Sequence, residues 1–263
     1  MSPLSAQGGE RLEAAIRGAQ ADGRPALVGY VTGGFPDPQA FADLLPDLAA
    51  EVDILEVGIP FSDPMADGVT IQRASERALS AGATLSGILD TLAAARLERP
   101  VVLMSYLNPV LQMGLDSFAE RARASGVSGL IVPDVPFEES GPLRRALGGQ
   151  GVALIQLVTP LTPDERLARL CAASEGFVYA VTMTGTTGAA VASQHDQVAA
   201  YLDRVRARSP RPVLAGFGIR TAEDVRRLGA HADGAIVGSA VVEAIEQGAD
   251  AAALLRALRG AAA

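Results

Sequence analysis

DILEVGIPFSDPMADGVTIQ, residues 53–72, is the stretch on which the fold turns. It opens with a short apolar run, Asp53 to Val57, of strand length and too short for a helix. Pro60 and Pro64 then stiffen a loop, and Gly68 ends it just before Val69 to Ala81, where apolar residues recur with helical spacing. The chain repeats this strand–loop–helix unit. Further runs rich in branched residues lie at Ala26 to Thr32, Val101 to Tyr106, Gly129 to Val132, Val152 to Val158, Phe177 to Val181, Pro212 to Ala215 and Ala235 to Val237. Between them, helices are predicted over Pro38 to Ala50, Leu85 to Leu97, Asp116 to Ser125, Glu138 to Leu147, Pro163 to Ala173, Gln194 to Arg208 and Thr221 to Leu228.

Strands that are apolar almost throughout, rather than alternating with polar residues, are covered on both faces, as in a parallel sheet wrapped by helices. Eight such units favour closure into a (β/α)8 TIM barrel over an open sheet, and 263 residues suit one such domain spanning 1–263. An extra leading helix, Glu10 to Ala21, closes the barrel bottom, and Val241 to Leu258 forms a final outer helix. Predicted strands start at residues 26, 53, 101, 129, 152, 177, 212 and 235, so the longest intervals follow the second and sixth. Added length in this fold collects at the C-terminal face, where active sites are built, so both loops are lid candidates.

Composition removes whole classes of chemistry. Hydrophobic residues make up 49% and charged ones 20%, enough for a large core. The net charge of −8, with no basic cluster among aromatics, argues against nucleic acid as a partner. No lysine occurs, so all 22 basic residues are arginines and no side-chain amine is present to form a Schiff base. His195, His231 and Cys171 are the only imidazoles and thiol, too few for the usual zinc site, so no metal is expected; Cys171 reads as a packed core thiol and the histidines as surface or capping residues. A basic leader and a long apolar span are both missing, which gives the expectation of a cytoplasmic protein with no membrane partner.

Carboxylates and backbone groups are left to do the work. If Asp53 and Leu55 face outward, alternation puts Ile54 and Glu56 inside the barrel mouth, where burial raises a carboxyl pKa toward the range a general acid or base needs. A structural glutamate paired with an arginine fits the same spacing. Asp67 stands before a helix and reads either as its N-cap or as a second acid facing Glu56. Gly216-Phe217-Gly218-Ile219 after strand 7 and Gly238-Ser239 after strand 8 sit where this fold holds a phosphate on backbone N–H groups and a helix N-terminus. Gly185 to Gly188 after strand 6 completes that site or acts as a flap. Tyr30, Tyr106 and Tyr179 fall on or just after strands, which suggests a pocket for a flat apolar group as well as ordinary core packing.

These residues carry a resemblance. LEVGIPFSDPMADG (55–68) with the following VTIQ, LMSYLNPVLQMG (103–114), IVPDVPFEES (131–140), TGTTGA (184–189) and GFGI (216–219) resemble, in order and spacing over nearly the whole chain, the tryptophan synthase α-chain family. The resemblance implies retro-aldol cleavage of indole-3-glycerol phosphate to indole and glyceraldehyde 3-phosphate. It assigns the proton transfers to Glu56 and acceptance of the indole N–H to Asp67. It places Gly188, Gly218, Gly238 and Ser239 on the phosphate, Tyr30, Ile71, Leu157 and Phe217 around the indole, and Tyr106 and Tyr179 near the cleaved bond. It also implies an α2β2 complex in which indole passes to a β chain for L-tryptophan synthesis; this chain carries no cofactor, and pyridoxal phosphate is expected only in the β chain. The loops Ile59 to Asp67 and Met183 to Gln194 resemble segments that close over substrate and bring Thr187 toward Asp67, and Asn108, Pro109, Asp134 and Pro136 match interface regions. The chain departs from the family pattern at Gly185-Thr186-Thr187-Gly188, where Gly-Val-Thr-Gly is more frequent, and at Ala189 to Ala192, where a polar residue is often found. Two alternatives stand beside this reading: a barrel isomerase acting on another sugar phosphate, and a catalytically silent relative that only activates a β-type partner.

Overall fold

The computed structural model describes residues 5–182, 191–216 and 218–260. Eight parallel strands among them close into a barrel in sequence order: β1 (Ala26–Thr32), β2 (Ile54–Gly58), β3 (Val101–Met104), β4 (Val127–Ile131), β5 (Ala153–Val158), β6 (Val178–Val181), β7 (Val213–Gly216) and β8 (Gly234–Val237). The helices are α1 (Ser5–Ala21), α2 (Pro38–Ala50), α3 (Val69–Ser80), α4 (Leu85–Ala95), α5 (Leu107–Met113), α6 (Leu115–Ala124), α7 (Gly141–Gln150), α8 (Asp164–Ala173), α9 (Val191–Arg206), α10 (Ala222–Gly229), α11 (Ser239–Glu246) and α12 (Ala251–Gly260).

Strand alternation divides the core into two layers. Val28, Ile54, Val102, Ile131, Ile155, Tyr179, Leu214 and Ile236 point inward and fill the barrel, whereas Leu27, Leu55, Leu103, Leu130, Leu154, Val178, Val213 and Val237 face the helices. Burial on both sides is why the strands lack polar alternation. Leu12 and Ile16 of α1 are fully buried in the inner layer, so the leading helix stops the barrel as expected. It lies close: a Cβ on Gly8 would stand 2.2 Å from the carbonyl oxygen of Ser128. At the same end, Arg24 clamps Asp53 through Nη1 (2.7 Å) and Nη2 (2.8 Å), and Asp53 also accepts the Leu27 N–H (2.8 Å). Asp53 therefore faces out of the barrel while Glu56 faces in.

Several boundaries differ from the sequence reading for identifiable reasons. The helix expected over Val241 to Leu258 is two helices, because Gly248 takes φ +69 and Asp250 caps the next helix through the Ala253 N–H at 2.8 Å. The segment expected from Glu138 becomes a 3-10 turn, Phe137–Glu139, before α7. Helix α5 was not expected; its Pro109 sits in the first turn, where the missing N–H costs no helical hydrogen bond, and Gly114 at φ +86 ends it. Asp134 accepts the Leu107 N–H with both oxygens (3.0 and 3.2 Å), so that carboxylate holds the start of α5. Cys171 is fully buried in the outer layer. His195 lies within α9 and His231 bonds Asp203 at 2.9 Å.

Candidate active site

The inward residues at the C-terminal ends of the strands meet in one place. Tyr30 on β1 stands in register with Glu56 on β2. Both are buried, Glu56 to 1% exposure, and its Oε2 is the one buried side-chain polar atom among the described residues that has no hydrogen-bond partner. An unsatisfied buried acceptor costs about 1–3 kcal/mol, and more if charged. Burial, reinforced by the negative charge of Asp67, pushes the Glu56 carboxyl up to about 8. At neutral pH it is therefore mainly protonated, with a proton available for transfer.

Asp67 is placed by its loop and not by a capping role. The N-cap of α3 is Gly68, with no side-chain cap bond, and the Asp67 carboxylate turns instead to Tyr106, whose hydroxyl donates to Oδ2 at 3.1 Å. The same hydroxyl accepts the Ala66 N–H at 2.8 Å, and the Phe61 ring stacks on Tyr106 with centroids 5.1 Å apart. One tyrosine just past β3 thus pins the whole loop after β2. Burial raises the Asp67 pKa, opposed by the Tyr106 hydrogen bond, so the two carboxyls share a desolvated region that resists holding two negative charges.

Two strand-end glycines shape the mouth. A Cβ on Gly58 would lie 2.0 Å from the Tyr30 hydroxyl, and one on Gly216 would lie 2.4 Å from the Tyr179 hydroxyl, so each ring occupies space that any other residue would fill. Burial holds the phenols of Tyr30 and Tyr179 protonated, well above the usual range, and the charges of Glu56 and Asp67 act in the same direction on both. Ile71 of α3 and Leu157 of β5 join these tyrosines in the inner apolar layer.

Across the mouth, Gly238 precedes Ser239, the first residue of α11, so backbone N–H groups at a helix start are presented there. Gly238 lies against Tyr30, with its notional Cβ 3.5 Å from the Tyr30 Cβ. Gly218 follows β7 in a left-handed conformation at φ +77. The structure thus brings together Glu56, Asp67, Tyr30, Ile71, Tyr106, Leu157, Tyr179, Gly218, Gly238 and Ser239 at the strand ends. Thr187, Gly188 and Phe217 lie outside the described residues. Sequence reading missed the bond from Tyr106 to Asp67 and the roles of Gly58 and Gly216. The inward direction of Glu56 was readable from alternation, but its register with Tyr30 and a contact between loops after different strands were not.

Among the described residues no group of three or more His, Cys, Asp or Glu is placed to hold a metal ion, and no single helix is long and apolar enough to cross a membrane.

A closed parallel barrel with a proton-bearing glutamate and a second carboxylate at its C-terminal mouth defines a barrel enzyme of the acid–base kind. The family model described as tryptophan synthase alpha chain matches residues 16–259. The tryptophan synthase alpha chain of Roseiflexus castenholzii is 46% identical over 251 residues, covering 92% of this chain and 96% of that one. The one from Deinococcus radiodurans is 40% identical, covering 94% and 93%. Among solved structures, tryptophan synthase from M. tuberculosis in an aminoacrylate-bound form superposes with a TM-score of 0.88 at 36% identity, covering 96% of this chain and 99% of that one. The alpha subunit from Legionella pneumophila gives 0.85 at 35%, covering 95% and 97%. The chain belongs to the tryptophan synthase alpha chain family, whose members are lyases acting on indole-3-glycerol phosphate.

Proposed function

We propose that this chain, acting as one domain over residues 1–263, cleaves indole-3-glycerol phosphate to indole and glyceraldehyde 3-phosphate, with Glu56 moving the protons and Asp67 holding the indole nitrogen. The observation that carries the assignment is the buried Glu56 carboxyl, its Oε2 without a partner among the described residues, raised to about 8 beside a second carboxylate. Indole leaves as a neutral molecule only if ring carbon 3 gains a proton. Glu56 starts protonated and supplies it, placing positive charge on the ring nitrogen. The Asp67 carboxylate, aimed by Tyr106, accepts the N–H and stabilises that charge. Ionised Glu56 then takes the proton from the hydroxyl on the adjoining side-chain carbon. The carbon–carbon bond breaks, its electrons return to the ring and the nitrogen is neutral again, while the hydroxyl carbon becomes the aldehyde. The proton given to ring carbon 3 stays in the indole and the hydroxyl proton restores Glu56 to its protonated form, so no net proton is consumed.

The remaining assignments follow the family resemblance. Backbone N–H groups at Gly218, Gly238 and Ser239, with Gly188, hold the phosphate without a lysine. Tyr30, Ile71, Leu157 and Phe217 enclose the indole, Tyr179 and Tyr106 line the reacting bond, and Thr187 closes onto Asp67. The partner is a tryptophan synthase β chain in an α2β2 assembly in the cytoplasm. Pyridoxal phosphate belongs to that partner, because this chain has no lysine to attach it. The test is indole release from indole-3-glycerol phosphate by the purified chain, alone and with a β chain. Cleavage that rises with the partner supports the reading; an inactive chain with its cognate β chain overturns it in favour of another phosphorylated-sugar substrate or a silent activator.

A further inference from the structure

One carboxylate outside the reacting centre joins three of the segments that build the site: the start of α3, the loop after β7 and α11. Glu243 lies one turn into α11, the helix opened by Gly238 and Ser239. Its Oε1 accepts the hydroxyl of Thr70 at 3.1 Å and Nη1 of Arg220 at 3.3 Å, and its Oε2 takes Nη2 of the same guanidinium. Thr70 belongs to the first turn of α3, three residues past Asp67, and Arg220 lies two residues past Gly218 in the loop after β7. A second rung one turn further along both helices runs from Arg73 Nε to Glu246 Oε1 at 2.8 Å.

We propose that Glu243 is a positioning residue for the cleavage, fixing the first turn of α3, into which the Asp67 loop runs, against the phosphate-side loops. This rests on the cleavage reading above. The substrate is anchored by its phosphate at one end and must present its indole nitrogen to Asp67 at the other, so the spacing between anchor and carboxylate sets the reactive geometry. A misplacement of about 1 Å can cost about a hundredfold in rate. Glu243 and Arg220 are 25% and 54% exposed at the side chain, and partly exposed ion pairs of this kind add little to global stability. Their effect is therefore on the rate of the bound complex and not on folding.

The experiment uses the full chain with its β chain and compares Glu243→Leu, Glu243→Gln and the exchange Arg220→Glu/Glu243→Arg. kcat and KM for indole-3-glycerol phosphate, Kd for sn-glycerol 3-phosphate and Tm are measured for each. Glu243→Leu is expected to lower kcat about tenfold, within the range that small displacements of a reacting group produce, while Tm and the affinity for glycerol 3-phosphate stay near wild type. Glu243→Gln keeps an acceptor for Thr70 and falls between. The exchange restores the ion pair and leaves a donor for the Thr70 hydroxyl, so it recovers most of kcat. The proposal is overturned if kcat in Glu243→Leu stays within about twofold of wild type, if glycerol 3-phosphate affinity falls in step with kcat, or if the exchange is no better than Glu243→Leu. An inactive wild type in the same assay sinks the cleavage reading itself and this proposal with it.

Discussion

Replacing Glu56 by glutamine is expected to stabilise the fold at alkaline pH while removing activity. The folded-state pKa of Glu56 is raised from 4.5 to about 8 by burial and the nearby Asp67 charge. A carboxyl raised on folding binds more protons in the native state than in the unfolded one between those two values. Its stabilising contribution is complete below about 4.5 and is lost as pH rises through about 8. Each pKa unit corresponds to about 1.4 kcal/mol, so wild type loses about 3 kcal/mol from this group by pH 7 and about 5 kcal/mol above pH 8. Glutamine has no proton to lose. The gap between Glu56→Gln and wild type therefore widens with pH by about 5 kcal/mol, or about 10 °C in Tm at about 2 °C per kcal/mol for a chain of this size. The assay is denaturant or thermal unfolding of both proteins at half-unit steps from pH 5 to pH 9, read as the difference between the two curves so that any constant effect of the amide cancels. Parallel curves would refute the reasoning, because they would mean that Glu56 titrates in the folded chain as it does in the unfolded one.

Other outcomes follow from single contacts. Tyr106→Phe removes both the donor to Asp67 and the acceptor for Ala66 N–H, and should lower kcat about tenfold to a hundredfold while raising the Asp67 pKa further, seen as an acid limb of the rate profile shifted to higher pH. Gly216→Ala drives a methyl into the Tyr179 hydroxyl and ring edge and should cost about 1–3 kcal/mol in denaturant unfolding, with a loss of activity. Arg24→Ala leaves Asp53 buried without its main partner and should destabilise the fold by about 3–5 kcal/mol with no change in KM, measured by urea unfolding and steady-state kinetics.

Local signals carried much of the architecture. The boundaries of β1 and α2 were readable because Asp37 and Pro38 mark a helix start and Ala26 to Thr32 is an uninterrupted apolar run. Helix α5 was hidden by its shortness and its proline, and the break between α11 and α12 by alanine-rich flanks that keep helical spacing across Gly248. Glu56 was legible as an inward residue because alternation in a strand leaves only two choices. Asp67 was ambiguous, since an aspartate before a helix looks the same whether it caps or not; its release from capping depends on Tyr106, which is distant in sequence. Gly58 read as the start of a loop and Gly216 as part of a phosphate-binding stretch, and the tyrosine ring over each depends on the register between neighbouring strands. The link from Thr70 through Glu243 to Arg220 joins three parts of the chain and left no local signature.

The claim that Glu56 begins the reaction as a protonated, desolvated acid is tested most directly by kcat/KM for indole-3-glycerol phosphate as a function of pH, in wild type and in Glu56→Gln. The expected profile is flat through neutrality and falls above about pH 8, where Glu56 ionises in the free protein, with Glu56→Gln reduced by orders of magnitude at every pH. A rate that climbs through pH 8, or a Glu56→Gln variant within about tenfold of wild type, would contradict it.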